Sequence, residues 1–322
     1  MPKVSVIIPA YNTMKYLPET VESVLQQTFT NFEAIVVNDA SSDGVEQWVN
    51  QLSDPRVKLI THAVNQGLAK TRNTGIKAAQ GELLAFLDGD DLWQPTKLAQ
   101  QVQLLDTHPE VGLIYTWVAY IDEQGKATGR VFKHEAEGDV WSVLVQHNIV
   151  ECGSVPLVRR ECLETVGCFD PQLSQFNNGE DWDLWLRIAE RYPFKVVKEP
   201  LVYYRQRPAS GSRNWEAMEK SFHIVFEKAF ASAAAVPHLR NKTYGLAHLC
   251  LAWKPLQSVS RDYQKAREYR RLALQYCPRL RFSKEYLRLS TAIFTLRWFG
   301  PDGYRRFLTV AYAVRRRLAN SH

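Results

Sequence analysis

The strongest constraint on this chain is an alternation in its first half. Short β-branched runs at Val4–Ile8, Glu33–Asn38, Val57–Thr61 and Leu83–Leu87 are separated by segments with helical apolar spacing, Tyr16–Gln27, Val45–Leu52 and Leu68–Ala79. In the first helical segment Leu17, Val21, Val24 and Leu25 share one face, as a period of about 3.6 residues requires. Strand–helix–strand repetition predicts an α/β fold with a Rossmann-like, mainly parallel sheet and right-handed crossovers. Such sheets bind ligands at the carboxyl ends of their strands. That rule singles out three polar loops: Pro9–Asn12, Asp39–Gly44 and Asp88–Asp91.

Beyond them the spacing predicts a helix over Pro95–Thr107 and a strand over Val111–Ala119. A hairpin follows over Ile121–Val131, with Asp122-Glu123-Gln124-Gly125 at its turn. From Ser154 to Arg205 the pattern is shorter and mixed, and after about residue 216 it is almost entirely helical. Hydrophobic residues at 45% and charged residues at 23% exclude a disordered chain. No apolar run reaches the roughly 18–20 residues that cross a bilayer, and the N-terminus lacks the pattern of a signal peptide. Five cysteines without close pairs suit a reduced, cytoplasmic setting better than a disulfide framework.

Asp88-Gly89-Asp90-Asp91 carries the most chemistry. Three carboxylates in four residues repel one another unless a counter-ion is present. A hard divalent cation, Mg²⁺ or Mn²⁺, accepts carboxylate oxygens and keeps positions open for phosphate. Glycine at position 89 removes a side chain where the backbone passes close to a ligand. The competing reading is a solvated turn in which Asp90 or Asp91 caps the next helix.

Several segments, in order, resemble family 2 glycosyltransferases of the A-type fold. They are Ser5–Asn12 (SVIIPAYN), Val37–Gly44 (VNDASSDG), Asn65–Leu68, Arg72–Ile76, Gly81–Asp91 (GELLAFLDGDD) and Gly179–Trp185 (GEDWDLW). The resemblance covers roughly residues 4–212 and implies a catalytic domain at 1–215. Its donor-binding half lies at about 1–120, its acceptor-side half at about 121–215, and a helical, basic region follows at 216–322. It implies an inverting, non-processive transferase that moves a sugar from a nucleoside-diphosphate donor, a UDP-sugar, onto a glycan or lipid-linked acceptor hydroxyl. By the same resemblance Tyr11, with Pro9 and Ala10, packs on the donor base. Asp39 accepts the uracil ring N–H, and Arg72 lies near base and phosphates. Asp88 and Gly89 face the ribose, and Asp90, with Asp88, binds the metal on the diphosphate. The segment Tyr203–Ser212 resembles the stretch that closes over the diphosphate, which assigns Arg205, Arg207, Ser210 and Ser212 to the donor. Many relatives have a metal-binding histidine where Arg207 stands. Arginine cannot ligate a cation but pairs bidentately with phosphate oxygens. Either the metal has fewer protein ligands here, or Arg207 partly replaces it.

Glu180-Asp181 opens a helix after an Asn- and Gly-rich loop, where a carboxylate is expected to stay ionised at neutral pH. The resemblance makes Asp181 the general base on the acceptor hydroxyl. Glu180 is equally readable as a helix start. Trp182 and Trp185 are candidates for stacking on an acceptor sugar, with core packing as the alternative. Asp43 reads as a turn or cap residue, and Cys152 as a buried structural thiol.

Charge divides the chain unevenly. Residues 1–253 carry 24 Lys and Arg against 30 Asp and Glu, and residues 254–322 carry 16 against 4, a net +12. Tyr304, Phe307, Leu308, Ala311, Val314 and Leu318 recur at helical spacing, and Leu287–Phe299 adds Ile293, Phe294, Leu296, Trp298 and Phe299. An apolar stripe beside arginines fits an interfacial helix on an anionic membrane surface, placing the protein peripherally on the cytoplasmic face. It equally fits a helical bundle with a charged exterior. Nucleic acid is not expected as a partner, because no recognition motif accompanies the charge. Two other functions are weighed. A sugar-nucleotide-forming transferase needs a Gly-rich, Arg-containing loop after the first strand, which Pro9–Thr13 is not. A catalytically silent sugar-nucleotide-binding or scaffold protein has no need of Asp88, Asp90 and Asp181 together.

Overall fold

A computed structural model describes residues 1–176, 178–207, 215–232, 237–258 and 261–319, with Ser232, Pro237, Gln257, Arg305 and 307–319 described by backbone alone. The first half folds as its alternation predicts. Strands β1 (Val4–Ala10), β2 (Phe32–Asn38), β3 (Val57–Thr61) and β4 (Leu83–Phe86) alternate with helices α1 (Leu17–Leu25), α2 (Val45–Asn50) and α3 (Leu68–Ala78). β1 is fully buried and pairs in parallel with both β2 and β4, while β2 pairs in parallel with β3. All three loops picked out at strand ends therefore open on one edge of one sheet.

The second half keeps the sheet mainly parallel, as expected, and adds antiparallel strands to it. Here lie β5 (Leu92–Trp93), α4 (Lys97–Thr107), β6 (Leu113–Ile121), β7 (Ala127–Phe132), α5 (Trp141–Leu144), β8 (Leu157–Arg159), α6 (Arg160–Val166), α7 (Glu180–Ala189) and β9 (Phe194–Arg205). The order across the sheet is β3-β2-β1-β4-β8-β6-β9-β5, with β7 on β6. β8 runs antiparallel to both β4 and β6, and β5 antiparallel to β9, so the sheet is mixed. β8 is only three residues long, too short to show a period in sequence. The hairpin turn forms as read: Asp122 Oδ1 accepts from the backbone of Gln124 and Lys126, and Gly125 takes φ 82°.

Helix α8 (Trp215–Ser232) belongs with this first compact unit, Met1–Ala233. The boundary therefore lies beyond the expected 215/216. Aromatic packing explains the shift. Phe222 and Phe226 meet Trp182 edge-on at 5.3 and 5.2 Å, and Phe230 meets Trp141. Lys228 also pairs with Asp170 and Asp183.

The second unit, Ala234–His322, contains α9 (Pro237–Gln257), α10 (Tyr263–Tyr276) and α11 (Lys284–Ala319). α9 and α10 pack through Tyr276, which stacks on Tyr244 and His248 at 5.1 and 5.2 Å. Gly300, with φ 65°, breaks α11 into two helical segments. The stripe residues Phe307, Leu308, Ala311, Val314 and Leu318 lie outside the residues whose side chains are described. No described helix is long and apolar enough to cross a membrane.

Candidate active site

The first loop follows β1. Pro9 and Ala10 are buried, and Tyr11 emerges 52% exposed at the strand end, free to pack on a planar ligand. Asn12 takes φ 51° and accepts from Ser42 N–H, tying this loop to the one after β2. Asp43 accepts from Met14 N–H at 2.7 Å, so it clasps the β1–α1 loop rather than capping α2. Asp39 is buried and draws several donors. Its Oδ1 accepts from Gln66 N–H and its Oδ2 from Gly67 N–H, both at 2.9 Å, and His62 Nδ1 lies 2.7 Å from Oδ1. With Nδ1–H donated to Asp39, His62 Nε2 accepts the Thr74 hydroxyl at 2.9 Å. A carboxylate offers about four lone-pair positions. These contacts fill all but one, on Oδ2.

In the third loop the acids divide their work. Asp91 is fully buried: its carboxylate accepts from Ser154 Oγ at 2.6 Å and from Arg205 N–H at 2.9 Å. Burial, with Asp90 and Asp88 adjacent, drives its pKa well above the ordinary carboxylate value. Asp91 thus fastens the loop to the end of β9 and caps no helix. Asp90 stays partly open. Burial pushes its carboxyl up to about 6 with help from Asp88, against the pull of Arg207 and Arg205. Arg207 Nε stands 2.5 Å from Asp90 Oδ2, near in distance though not aligned as a hydrogen bond. Asp88 is the more open acid, with its side chain 25% exposed. At Gly89 a Cβ would sit 2.9 Å from Thr13 Oγ1 and 3.1 Å from the Pro9 carbonyl, so only glycine lets the loop lie against β1. That Thr13 hydroxyl is buried without a hydrogen-bond partner.

Arg205 and Arg72 turn inward. Arg205 is 3% exposed and donates to the Asp90 carbonyl, the Glu123 carbonyl and Glu19, over the ring of Tyr16. Its guanidinium holds the loop rather than facing open space. Arg72 is 1% exposed, so it is no solvated helix charge. Nη2 donates to Asp88 at 2.6 Å and Nη1 to Glu180 at 2.8 Å, and the guanidinium lies over the Phe169 ring. Burial pulls its pKa down, yet Asp88, Glu180 and Asp181 together hold it above the usual arginine value. One guanidinium thus ties the third loop to the start of α7. Gly153 leaves room for it: a Cβ there would stand 2.5 Å from Nη2.

At α7, Gly179 (φ 87°) packs where a Cβ would collide with Ser221 of α8. Glu180 is buried, with Oε1 on Arg72 and Oε2 lacking a hydrogen-bond partner. Asp181 is less enclosed than Glu180 by surface area and accepts from Trp182 N–H. The helix N-terminus does not keep it at an ordinary carboxylate value. Burial, then the neighbouring Glu180, pushes Asp181 up to about 7 despite Arg72. Trp182 and Trp185 correct the acceptor reading. Trp182 is 6% exposed with Nε1–H on the Leu144 carbonyl, and Trp185 is fully buried against Phe86 and Phe169. Both are core. Ser210 and Ser212 lie outside the described residues.

Sequence reasoning missed His62, Thr13, Ser154 and Glu19. His62 carried a signal, since it directly follows β3 at the same sheet edge. Ser154 and Glu19 carried none, because their partners lie 63 and 186 residues away.

A sequence model of Glycosyl transferase family 2 matches residues 5–167. An uncharacterized glycosyltransferase of Rickettsia bellii is 35% identical over 64% of this chain, a match spanning only 29% of that protein. The UDP-Glc:alpha-D-GlcNAc-diphosphoundecaprenol beta-1,3-glucosyltransferase WfaP of Escherichia coli is 32% identical over 66% of this chain and 81% of its own. Among solved structures, the mannosyltransferase PcManGT of Pyrobaculum calidifontis, in complex with GDP-Man and Mn²⁺, shares the fold. Its TM-score is 0.57 at 22% identity, covering 92% of this chain and 87% of that one.

Proposed function

The chain belongs to glycosyl transferase family 2, and from that premise we propose that it transfers a sugar, with inversion, from a UDP-sugar to an acceptor hydroxyl. The observation that carries this reading is the Asp88–Arg72–Glu180 bridge, which sets a carboxylate loop suited to a metal-held diphosphate beside a poised carboxyl, Asp181. Tyr11 would cover the base, and the remaining lone pair of Asp39 would accept the uracil N–H. WfaP, named for UDP-Glc, supports a uridine donor and a lipid-diphosphate-linked acceptor.

The donor set fits a divalent cation. Asp88 and Asp90 are two hard oxygen donors, and burial holds the Asp90 carboxyl above its ordinary value even with Arg207 beside it. Among the described residues no three His, Cys, Asp or Glu side chains gather around one point as a metal cage. A Mn²⁺ or Mg²⁺ ion would take Asp90 and Asp88 from the protein, and phosphate and water oxygens for the rest. When bound, such an ion neutralises charge on the diphosphate leaving group. Arg207 reaches the same carboxylate and would pair with phosphate oxygens. Asp181 would take the proton of the acceptor hydroxyl as its oxygen attacks the anomeric carbon from the face opposite the diphosphate.

Asp181→Asn tests the assignment. Turnover should fall by a factor of about 10² or more, with UDP-sugar affinity near that of the parent. Unchanged transfer by this variant would exclude Asp181 as the base.

A further inference from the structure

The first segment of α11 is apolar on two opposite faces. One is buried: Leu289, Ala292, Ile293 and Leu296 are at most 9% exposed and pack inside the second unit. The other points outward. Leu287, Phe294 and Trp298 are 55%, 57% and 68% exposed, and their i, i+7, i+11 spacing lines them along one side of the helix. Phe299 at 64% and Phe282 at 81% flank this stripe, and the rings of Phe294 and Phe299 meet at 6.2 Å. A helix inside a water-soluble bundle needs only one apolar stripe. Four aromatic side chains in the open are a contiguous feature rather than the scattered exposure common on protein surfaces.

The charge around the stripe identifies what it fits. Between residues 278 and 300 stand five basic side chains, Arg279, Arg281, Lys284, Arg288 and Arg297, against the single acid Glu285. All five are exposed, and Arg297 lies over the ring of Trp298. On the helical wheel Lys284 and Arg288 border the stripe on one side and Arg297 on the other. Exposed aromatics between arginines are the composition of a helix lying in the headgroup region of a bilayer. Their apolar bodies sit at the acyl boundary and the guanidinium groups reach lipid phosphates.

We infer that the Leu287–Phe299 face of α11 is a docking surface for an anionic lipid bilayer, lying flat in the headgroup layer without crossing it. Two forces act together there. Arginines and Lys284 draw the face to negative headgroups over a range of about 8 Å at physiological salt. Phe294, Trp298 and Phe299 then enter the interface and hold the contact at short range. This goes beyond the proposed sugar transfer, since a face of this kind serves with or without it.

The test uses the full chain with vesicles of phosphatidylcholine alone and of phosphatidylcholine with phosphatidylglycerol, measured by co-sedimentation at low and high salt. The protein should bind the anionic vesicles, lose most of that binding at about 0.5 M salt, and bind neutral vesicles at least about tenfold more weakly. Phe294→Ser/Trp298→Ser should weaken anionic-vesicle binding by about tenfold or more, while helical content and donor affinity stay at parent values. Arg288→Gln/Arg297→Gln should reduce binding in proportion to lost charge and flatten its salt dependence. No sedimentation with anionic vesicles at low salt would overturn the inference. So would full binding by the aromatic double variant. A concentration-dependent dimer that the aromatic substitutions abolish, without lipid binding, would also overturn it and assign the face to self-association.

Discussion

Two acidic clusters meet at this site, and they are countered differently. At Asp88–Asp91, Arg205 and Arg207 from the end of β9 and beyond bring positive charge against the loop. At Glu180–Asp181 the single guanidinium of Arg72 pairs with Glu180 and reaches Asp181 only through its charge, and it is also engaged with Asp88. The first cluster is therefore held from both sides, and its most buried acid, Asp91, is given over to structure. In the second, burial and then the neighbouring Glu180 push Asp181 up to about 7 against the pull of Arg72. A carboxyl near neutrality is a stronger proton acceptor than an ordinary aspartate once ionised. In the proposed function the same crowding of negative charge would give a place for a cation in one cluster and a base in the other.

The largest expected effect comes from removing the link between them. Arg72→Met leaves Glu180 and part of Asp88 without their buried partner, and breaking such a pair costs about 3–5 kcal/mol. Chemical denaturation should show a loss of this size. Arg72→Lys keeps the charge but has no fork to span both acids. It should recover part of the stability while the two clusters move apart in function, with transfer reduced more than donor binding. A loss under about 1 kcal/mol in the methionine variant would show that the bridge is dispensable.

A smaller effect should appear with pH. If Asp181 acts as a base, only its ionised form works, so kcat/KM should climb as pH rises toward neutrality. The climb should approach tenfold per unit below about 7 and level off above it. Arg72 lowers the Asp181 pKa, so Arg72→Lys, with its looser contact, should carry that limb to higher pH. A flat profile from pH 5 to 8 would separate Asp181 from the rate-limiting proton.

Much of this comparison was open to a sequence reading, for a local reason. The β–α alternation sets which edge of the sheet carries the candidate ligand loops, so Tyr11, Asp39 and Asp88–Asp91 are singled out by position alone. Arg72 also left a trace. It lies in the apolar stripe of α3 with Ala69 and Ile76, at i, i+3 and i+7, where a solvated charge does not belong. Its partner Glu180 is 108 residues away, and no period reports such a distance. For Trp182 and Trp185 the sequence leaves acceptor stacking and core packing both open, and Phe222 and Phe226 of α8 and the rings of Phe86 and Phe169 claim them for the core. The Asp181 pKa was misjudged because a helix N-terminus is legible in sequence and burial beside Glu180 is not.

The division of labour between the clusters can be read in one titration. UDP binding is measured calorimetrically with and without Mn²⁺ for the parent, Asp90→Asn and Asp181→Asn. The account predicts that Mn²⁺ strengthens UDP binding in the parent and in Asp181→Asn alike, and that Asp90→Asn loses this gain. Equal Mn²⁺-dependent strengthening in Asp90→Asn and the parent would contradict it.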